Sequence, residues 1–534
     1  MNSQLNQTGL VNNTKRLNIR VDSSIRIGSG HVSRSIAIAE EAVSLGHKVR
    51  FLFRDLVGSQ TEKMVSKRFE HLVLHLEVKF EEQLGPIESM WPEDEQILDA
   101  KIIQRLLSDK ENEILLVDHY GLGESFSQYL RESWSSNSVY AIHDFETSSC
   151  TSFCIHPGIA TPSSLASRIA EGNNGTRFLL NQSMVPLSKA VRTSNKNENL
   201  KDPPEERSEL RIFIDFGTSE VQNFVDMIRS ALPEVAKTFP IEVTALQPRV
   251  REQTPKLEKS EKTATPSLSY VKFESQSSYL DHVQSQDLVI GAGGVSCLER
   301  LYLGIPQIVF SISDNQIELA KSLSEWNAIQ SGGMLELNSP QMLRNIIVGA
   351  LENLDLLAQS AKRGQLQLDG YGAHRIAHLL LGNDSSELTI REIRSDDAPL
   401  LFGWANDPQL RRNSISHKVI YPQEHLNWFE DALNSPDQAI FILELGSTPV
   451  GQSRFMREVD NKFVLSYSID SVYRGTGLAK KLLSLSIEAH RATNPNGVYH
   501  ATIRSDNFAS RAVLTSLGFI LTETDQTIER FVLS

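Results

Sequence analysis

The run Ile27-Gly28-Ser29-Gly30-His31-Val32-Ser33-Arg34 holds the residue types that an acid–base step on a bound ligand needs. It follows a short apolar stretch, Leu17 to Val21, and opens a segment whose apolar positions Val32, Ile36, Ala39 and Val43 keep helical spacing. Gly28 and Gly30 permit a tight turn and let a ligand approach bare backbone. His31 falls in the first turn of the expected helix. The partial positive charge of a helix N-terminus disfavours imidazolium, so a histidine there stays a neutral proton acceptor near pH 7. A capping or packing histidine fits the same spacing.

The elements around it read as strand–helix–strand. Leu17–Val21, a helix from His31 to Leu45 stopped by Gly46, and Lys48–Phe53 alternate as in a parallel sheet. Glu113–Val117 ends in Asp118-His119-Tyr120, and Ser138–Ile142 ends in His143-Asp144. Ligands of open α/β sheets bind beyond the carboxyl ends of the strands. Asp22, His31, Asp118, Tyr120 and Asp144 are therefore expected to face one crevice; the alternative is that the aspartates cap helices or loops. Gly28-x-Gly30 also opens a dinucleotide fingerprint, with Asp55 after the next strand, but Ser33 stands where its third glycine belongs. His143, Cys150, Cys154 and His156 match no compact zinc spacing, so no metal is expected.

A polar stretch, Lys189–Ser208, reads as a linker. Strand Leu210–Ile214 then leads into Asp215-Phe216-Gly217-Thr218-Ser219-Glu220, and Gln247–Ser267 reads as a long loop. Asp287–Ile290 is a short strand, Gly291-Ala292-Gly293-Gly294 a turn, and Ser296–Leu303 a helix. Backbone amides at such a turn form a phosphate site. Glu299, one turn in, has two oxygens to accept hydrogen bonds from a ribose diol. After strand Gln307–Ser311 come Asp314-Asn315-Gln316, suited to sugar or diphosphate contacts. Gly293, Gly294, Ser296, Glu299, Asn315 and Gln316 together point to a nucleotide site; a plain β-turn-α corner explains the glycines alone.

The last segment, after the joint Asn383–Glu387, reads strand Leu388–Ile393, helices Asp397–Asn406 and Pro422–Leu433, and strands Ala439–Leu445, Val450–Met456 and Phe463–Ile469. Arg474-Gly475-Thr476-Gly477-Leu478-Ala479 opens helix Lys480–His490, a second turn with amides aimed at a diphosphate. Strand Tyr499–Ile503 precedes Asn507-x-x-Ser510 and Gly518-Phe519.

Three resemblances follow from these motifs. Gly28-x-Gly30-His31-x-x-Arg34, Asp118-x-Tyr120, Gly293-Gly294-x-Ser296-x-x-Glu299, Asn315-Gln316 and Asp369-Gly370-x-Gly372-Ala373-x-Arg375-Ile376 resemble the PseG family of UDP-sugar hydrolases in pseudaminic acid biosynthesis, which is similar to the MurG-type GT-B fold. That resemblance, over about Leu17 to Leu381, implies that His31 activates water against the anomeric carbon of UDP-2,4-diacetamido-2,4,6-trideoxy-β-L-altrose, and that UDP leaves from the C-terminal half without a metal. Two positions depart from the family: Phe216-Gly217 stands for a glycine pair and His156-Pro157 for Asn-Pro, and the match around Asn181 is loose. Arg474-x-x-Gly477-x-Ala479 with Asn507 and Ser510 resembles the GNAT acetyltransferases, which implies acetyl-CoA as co-substrate, its pyrophosphate on the turn and its pantetheine arm on Asn507. Trp404-x-Asn406-Asp407-Pro408, Arg411-Arg412-Asn413 and His425-x-x-Trp428 resemble the acceptor side of the PseH family, which acetylates the 4-amino group of the UDP-linked precursor. Leu514 replaces a tyrosine that serves some relatives as general acid; His417, His425 and Glu444 are the candidate bases.

The fold class expected is thus α/β: two Rossmann-like domains of GT-B type, 17–189 and 209–382, followed by a GNAT domain, 388–534. The 534 residues suit three domains of roughly 150 residues each. A net charge of −13 argues against a protein that mainly grips nucleic acid. Three cysteines are too few for a disulfide framework, and the polar first sixteen residues lack a secretory pattern, so a cytoplasmic, soluble enzyme is expected. The partners expected are a UDP-sugar and acetyl-CoA, with no membrane. Alternative readings are a GT-B glycosyltransferase carrying a GNAT domain that acts on another amine such as a protein N-terminus, and a scaffold with inactive sites.

Overall fold

The computed structural model describes residues 14–24, 27–75, 91–107, 112–133, 139–144, 153–171, 178–180, 182–194, 208–217, 222–247, 268–382 and 387–534. Cys150, Asn181, Thr218, Ser219 and Glu220, most of the 247–267 loop, and 383–386 of the joint lie outside them. The chain divides into two compact units: residues 1–159, 177–365 and 370–382, and residues 160–176, 366–369 and 383–534.

The first unit holds two parallel sheets. Strands β1 (Arg16–Val21), β2 (Lys48–Phe53), β3 (Glu70–Val73), β4 (Glu113–Asp118), β5 (Val139–Ile142), β6 (Phe153–His156) and β7 (Phe178–Leu180) lie in the order β3-β2-β1-β4-β5-β6-β7. Strands β8 (Leu210–Asp215), β9 (Ile241–Leu246), β10 (Ser269–Val271), β11 (Leu288–Ala292), β12 (Gln307–Ser311) and β13 (Gln330–Met334) lie in the order β10-β9-β8-β11-β12-β13. Both orders reverse direction beside their first strand, between β1 and β4 and between β8 and β11. A crevice opens at such a switch point. The central strands are buried on both faces, as the unbroken apolar runs Leu115–Val117 and Leu288–Ile290 require.

Two readings of the connections change. Lys189–Ser194, inside the expected linker, is helical, and Val191 packs in the core of the second sheet. Helix Gly372–Leu381, at the end of the second sheet's sequence, packs on helix Gly30–Ser44 beside the first. A Cβ on Gly372 would meet the Val185 carbonyl at 2.2 Å, and the buried Arg375 donates to the Ser183 carbonyl at 2.9 Å. The Gly372/Arg375 motif is thus a close backbone approach and its clamp.

The second unit is built on β14 (Leu388–Glu392), β15 (Gln438–Leu445), β16 (Thr448–Val459), β17 (Lys462–Ile469), β18 (Val498–Arg504), β19 (Ile520–Thr524) and β20 (Ile528–Leu533), ordered β14-β15-β16-β17-β18-β20-β19. All neighbours are antiparallel except β17 and β18, which pair in parallel only from Lys462–Val498 to Val464–His500 and then part. Helix Leu478–Thr493 covers one face through Leu482, Leu483 and Ile487.

Candidate functional site

A cavity of about 1180 Å³ lies between the two parallel sheets of the first unit. Helix Gly30–Ser44 begins on one wall and helix Val295–Tyr302 on the other. The two starts nearly touch: a Cβ on Gly30 would lie 3.5 Å from Val295 Cγ2. The first N–H groups of a helix have no partner within it, so two sets of amides open into one space. Gly28 turns the chain here with φ of 74°.

His31 lines this cavity on the first wall. Its Nδ1 lies 2.7 Å from Asp118 Oδ1 at the end of β4. A carboxylate accepts only, so the ring carries its proton on Nδ1 and leaves the Nε2 lone pair unused by any described residue. Asp118 is 1% exposed and also accepts from Arg34 Nε at 2.8 Å, Arg34 Nη2 at 2.6 Å and Ser35 Oγ at 3.2 Å. Burial alone would raise its pKa; Arg34 and then His31 outweigh that and hold it below the usual carboxylate range. Arg34 Nη1 donates to Asp144 Oδ1 at 2.6 Å, and Tyr120 donates to the other oxygen of Asp144. Burial and the Asp144 charge raise the Tyr120 phenol well above its ordinary value. The Tyr120 ring meets His31 edge-on, with centroids 4.6 Å apart.

Asp22, expected in the crevice, lies outside it. Arg20 Nη1 donates to its carboxylate at 2.5 Å, His119 Nε2 lies 3.0 Å away, and the Arg54 amide donates at 2.8 Å. It is 1% exposed and does not line the cavity. An adjoining network of Arg20, Arg54, Asp99 and Glu95 neutralises the charges at the ends of β1 and β2. Asp118 does not line the cavity either; it acts behind His31. Asp55 is exposed on a loop.

On the second wall β11 runs through Ala292, so the turn is only Gly293-Gly294, and the helix starts at Val295. The Gly293 amide is taken by the Phe310 carbonyl at 3.2 Å. The amides of Gly294, Val295 and Ser296, the first of the helix, are the ones left for a ligand. Glu299 lines the cavity; burial, and then the charge of Asp215, push its carboxyl up to about 7, while Arg300 works the other way. Asp215 is held by Arg300 Nη1 at 2.7 Å and by the Tyr279 hydroxyl at 2.8 Å, and it braces Gly217 through that residue's amide at 3.0 Å. Gln316 lines the cavity, yet its Oε1 accepts from the Ile312 amide at 3.1 Å and shapes the loop. Asn315 donates to the Tyr120 hydroxyl at 3.0 Å, so it joins the two walls.

Several contributors escaped the sequence reading. Ser35 and the Arg300–Asp215 pair sit within quoted segments, but nothing in their spacing marks partners 83 and 85 residues away. His156 and Pro157, read only as a departure from the family pattern, line the cavity with Gly158 from the end of β6. Cys154, on that strand, is disulfide-bonded, and Cys297 is buried and free. Among the described residues no group of three or more His, Cys, Asp or Glu side chains is arranged to hold a metal ion.

In the second unit, Gly475 and Gly477 have φ of 80° and 84°, and Gly477 caps helix Leu478–Thr493. The turn therefore needs glycine, and it presents the helix's free amides. Arg474 braces it: Nε donates to the Ile469 carbonyl at 3.0 Å, Nη2 to Asp407 at 2.8 Å and Nη1 to Gln409 at 2.9 Å. Thr476 Oγ1 donates to the Tyr473 carbonyl at 2.6 Å. Leu478 and Ala479 are the first helical residues. Asn507 Oδ1 accepts from the Ser510 amide at 3.1 Å, and Ser510 Oγ accepts from Tyr467 at 3.0 Å, at the end where β17 and β18 have parted. Leu514 is wholly buried in the core. His425 is buried, its Nε2 2.9 Å from the Ala398 carbonyl, and burial lowers it to about 4; Glu444 pairs with Arg391 at 2.7 Å. Both are structural here, and His417 is exposed.

A family model for the acetyltransferase (GNAT) domain matches residues 387–520. An uncharacterized protein of Methanocaldococcus jannaschii is 20% identical over 523 residues, covering 94% of this chain and 96% of its own. The structure of Acinetobacter baumannii MurG is similar over 68% of this chain and 99% of its own, with 12% identity and a TM-score of 0.46. Campylobacter jejuni N-acetyltransferase PseH is similar over 28% of this chain and 97% of its own, with 12% identity and a TM-score of 0.22. Among the described residues no helix is long and apolar enough to cross a membrane. The chain thus carries a GNAT acetyltransferase domain at its C-terminal end, preceded by two Rossmann-like parallel sheets.

Proposed function

We propose that the chain is a bifunctional enzyme: its GNAT domain acetylates an amino group of a UDP-linked sugar, and its first unit hydrolyses the acetylated product to UDP and free sugar. The sugar named by the family resemblance, the 2,4-diacetamido altrose of pseudaminic acid biosynthesis, is the substrate of choice. The observation that carries the hydrolytic half is the His31–Asp118 pair at 2.7 Å, opening on the same cavity as the Gly294–Ser296 amides and Glu299.

In the first reaction the neutral amine attacks the thioester carbonyl of acetyl-CoA. The C–S bond breaks, the thiolate takes a proton and the amide nitrogen loses one. Holding the amine against the thioester supplies much of the rate. The turn at Gly475–Ala479 holds the pyrophosphate, and the space where β17 and β18 part takes the pantetheine arm beside Asn507 and Ser510.

In the second, His31 Nε2 takes a proton from water as the oxygen bonds to the anomeric carbon. The bond from that carbon to the diphosphate oxygen breaks, and UDP leaves as the anion. Asp118 stabilises the imidazolium that forms. Amides of two helix N-termini stabilise the charge on the leaving diphosphate. Glu299 accepts from the ribose diol, Arg34 and Asp144 fix the base from behind, and Tyr120 with Asn315 and Gln316 shapes the sugar end.

The test is mass spectrometry of the products from the UDP-4-amino sugar and acetyl-CoA. CoA release followed by UDP release without any added acceptor is expected. UDP release that needs a second sugar or lipid would establish a glycosyltransferase instead. His31→Ala should abolish UDP release and leave CoA release intact; persistent UDP release removes His31 as the base.

A further inference from the structure

Behind the first wall of the cleft, one buried histidine uses both of its ring nitrogens, and the reaction steps above give it no part. His119 stands between Asp118, the partner of His31, and Tyr120, whose ring meets His31. Successive side chains of an extended chain point to opposite sides. Asp118 and Tyr120 accordingly reach His31, while His119 reaches back to Asp22, just beyond β1. The Asp22 carboxylate only accepts, so the proton of His119 sits on Nε2, 3.0 Å from Asp22 Oδ2. Nδ1 is then an acceptor, and it takes the buried Gly121 amide at 2.9 Å. Only the neutral ring in this tautomer makes both bonds; a second proton would set donor against donor at Nδ1. Burial foremost lowers the His119 pKa; Asp22 and Asp99 work the other way, and Arg20 sides with burial.

Trp91 holds the same turn from a second side. Its ring lies so close over Gly121 that a Cβ there would meet Trp91 Cδ1 at 2.4 Å, and its amide donates to the Gly121 carbonyl at 3.0 Å. The ring also meets His119 edge-on, with centroids 4.6 Å apart, and carries the Arg54 guanidinium 4.3 Å from its centroid. Gln96 donates to the Trp91 carbonyl at 2.7 Å and accepts from the Gly123 amide at 2.9 Å. The two bonds of His119 are not equally replaceable. Asp22 Oδ2 also accepts from Arg20 Nη2 at 2.9 Å. The Gly121 amide has no second acceptor among the described residues, and a buried amide without a partner is costly.

We infer that His119 is a positioning residue of the hydrolytic site: by accepting the Gly121 amide, its Nδ1 sets the turn that carries Asp118 and Tyr120 against His31. The inference rests on the hydrolytic reading above and adds to it a residue that does not line the cavity. A turn released at Gly121 moves Asp118 and Tyr120 together, because each is the direct neighbour of His119. His31 then loses the carboxylate that fixes its proton on Nδ1 and the ring that meets its edge.

The test uses the full chain and separates the two bonds. Asparagine carries an acceptor about where Nδ1 stands, and glutamine carries its amide about where Nε2 stands. His119→Asn therefore keeps the Gly121 contact, and His119→Gln keeps the Asp22 contact. With UDP release followed from the UDP-sugar proposed above, kcat should fall about 10²-fold in His119→Gln with KM little changed. His119→Asn should retain most of the native kcat. The reverse order, equal losses in both, or no loss in His119→Gln overturns the inference. The second readout needs no turnover: two-bond proton–nitrogen spectra of the chain labelled at its histidine rings, in which the His31 signals are those lost in His31→Ala. The Nδ1–H tautomer of His31 is expected in the native chain and in His119→Asn, and an average of both tautomers in His119→Gln. Unchanged His31 signals in His119→Gln overturn the inference. If His119→Gln does not fold, His119→Asn decides alone: a kept His31 tautomer supports the inference and an averaged one overturns it. A native chain that releases no UDP fails as a hydrolase, and the His31 spectra then decide on His119 separately.

Discussion

Tyr120 of the first sheet and Asn315 of the second meet at 3.0 Å, the Asn315 amide donating to the phenol oxygen. The phenol in turn donates to Asp144, which accepts from Arg34, which donates to Asp118, the partner of His31. One chain of polar contacts therefore runs from the second wall of the cleft to the imidazole. Tyr120→Phe cuts it at one oxygen and keeps the ring against His31. The variant is expected to fold, losing about 0.5–1.5 kcal/mol for each lost hydrogen bond. UDP release should slow more than UDP binding weakens; steady-state kinetics beside calorimetric binding separates the two. Equal losses in both would mean that the contact only holds the cleft together.

Asp118→Asn keeps shape and removes charge. The proton on His31 Nδ1 is no longer enforced, because an amide can donate as well as accept. A fall in kcat for UDP release of about 10²–10⁴ is expected, in line with removing a general base or the residue that fixes its tautomer. Acetyl transfer should persist. The same change leaves Arg34 short of a buried counter-charge, so a lower Tm by differential scanning calorimetry is part of the expected outcome.

Glu299 predicts a pH effect with a definite sign. Its carboxyl is pushed up to about 7 because burial and Asp215 disfavour the ionised form. Ribose hydroxyls donate to the ionised form and stabilise it, so UDP binding lowers this pKa and releases a proton. Affinity for UDP should rise with pH across the region around 7 and level off above it. Calorimetry in buffers of different ionisation enthalpy counts the proton released near pH 6.5. Glu299→Gln should bind more weakly and with a flatter profile; an unchanged profile would remove Glu299 from the nucleotide site.

Gly475→Val places a β-branched residue at φ of 80°. Nothing lies within 4 Å of the added Cβ, so the cost is backbone strain rather than a clash, of order 1–3 kcal/mol. The turn is expected to relax by moving its amides. Acetyl-CoA affinity should fall by at least tenfold with UDP release unaffected, read by titration calorimetry and a UDP assay on the same preparation. Unchanged acetyl-CoA binding would relocate the cofactor.

Local order was legible where patterns are local. Strands β2 and β12 run from Lys48 to Phe53 and from Gln307 to Ser311, as their apolar runs indicate. Helix Gly30–Ser44 begins where Gly28 and Gly30 announce a turn, and both glycines of the Gly475–Gly477 turn have the positive φ that this loop demands. Weakly patterned elements such as β3, β6 and β19 escaped notice, because they carry short or exposed runs that tertiary pairing alone turns into strands. Asp22, read as a crevice residue, points instead into a buried cluster where Arg20, two positions away, and His119, far off in sequence, hold its carboxylate.

Residue type and spacing alone decided where the glycine turns stand. Those depend on neighbours a few positions apart, where a missing Cβ or a fixed helical offset leaves little freedom. The tertiary structure decided which carboxylate faces which base. Asp118 reaches His31 and Arg300 reaches Asp215 only because strand order reverses beside β1 and β8, bringing together side chains more than eighty positions apart. The charge state of a buried group follows from that assembly: Glu299 is poised near neutrality by the Asp215 charge and the loss of water, and neither is written in its own helix.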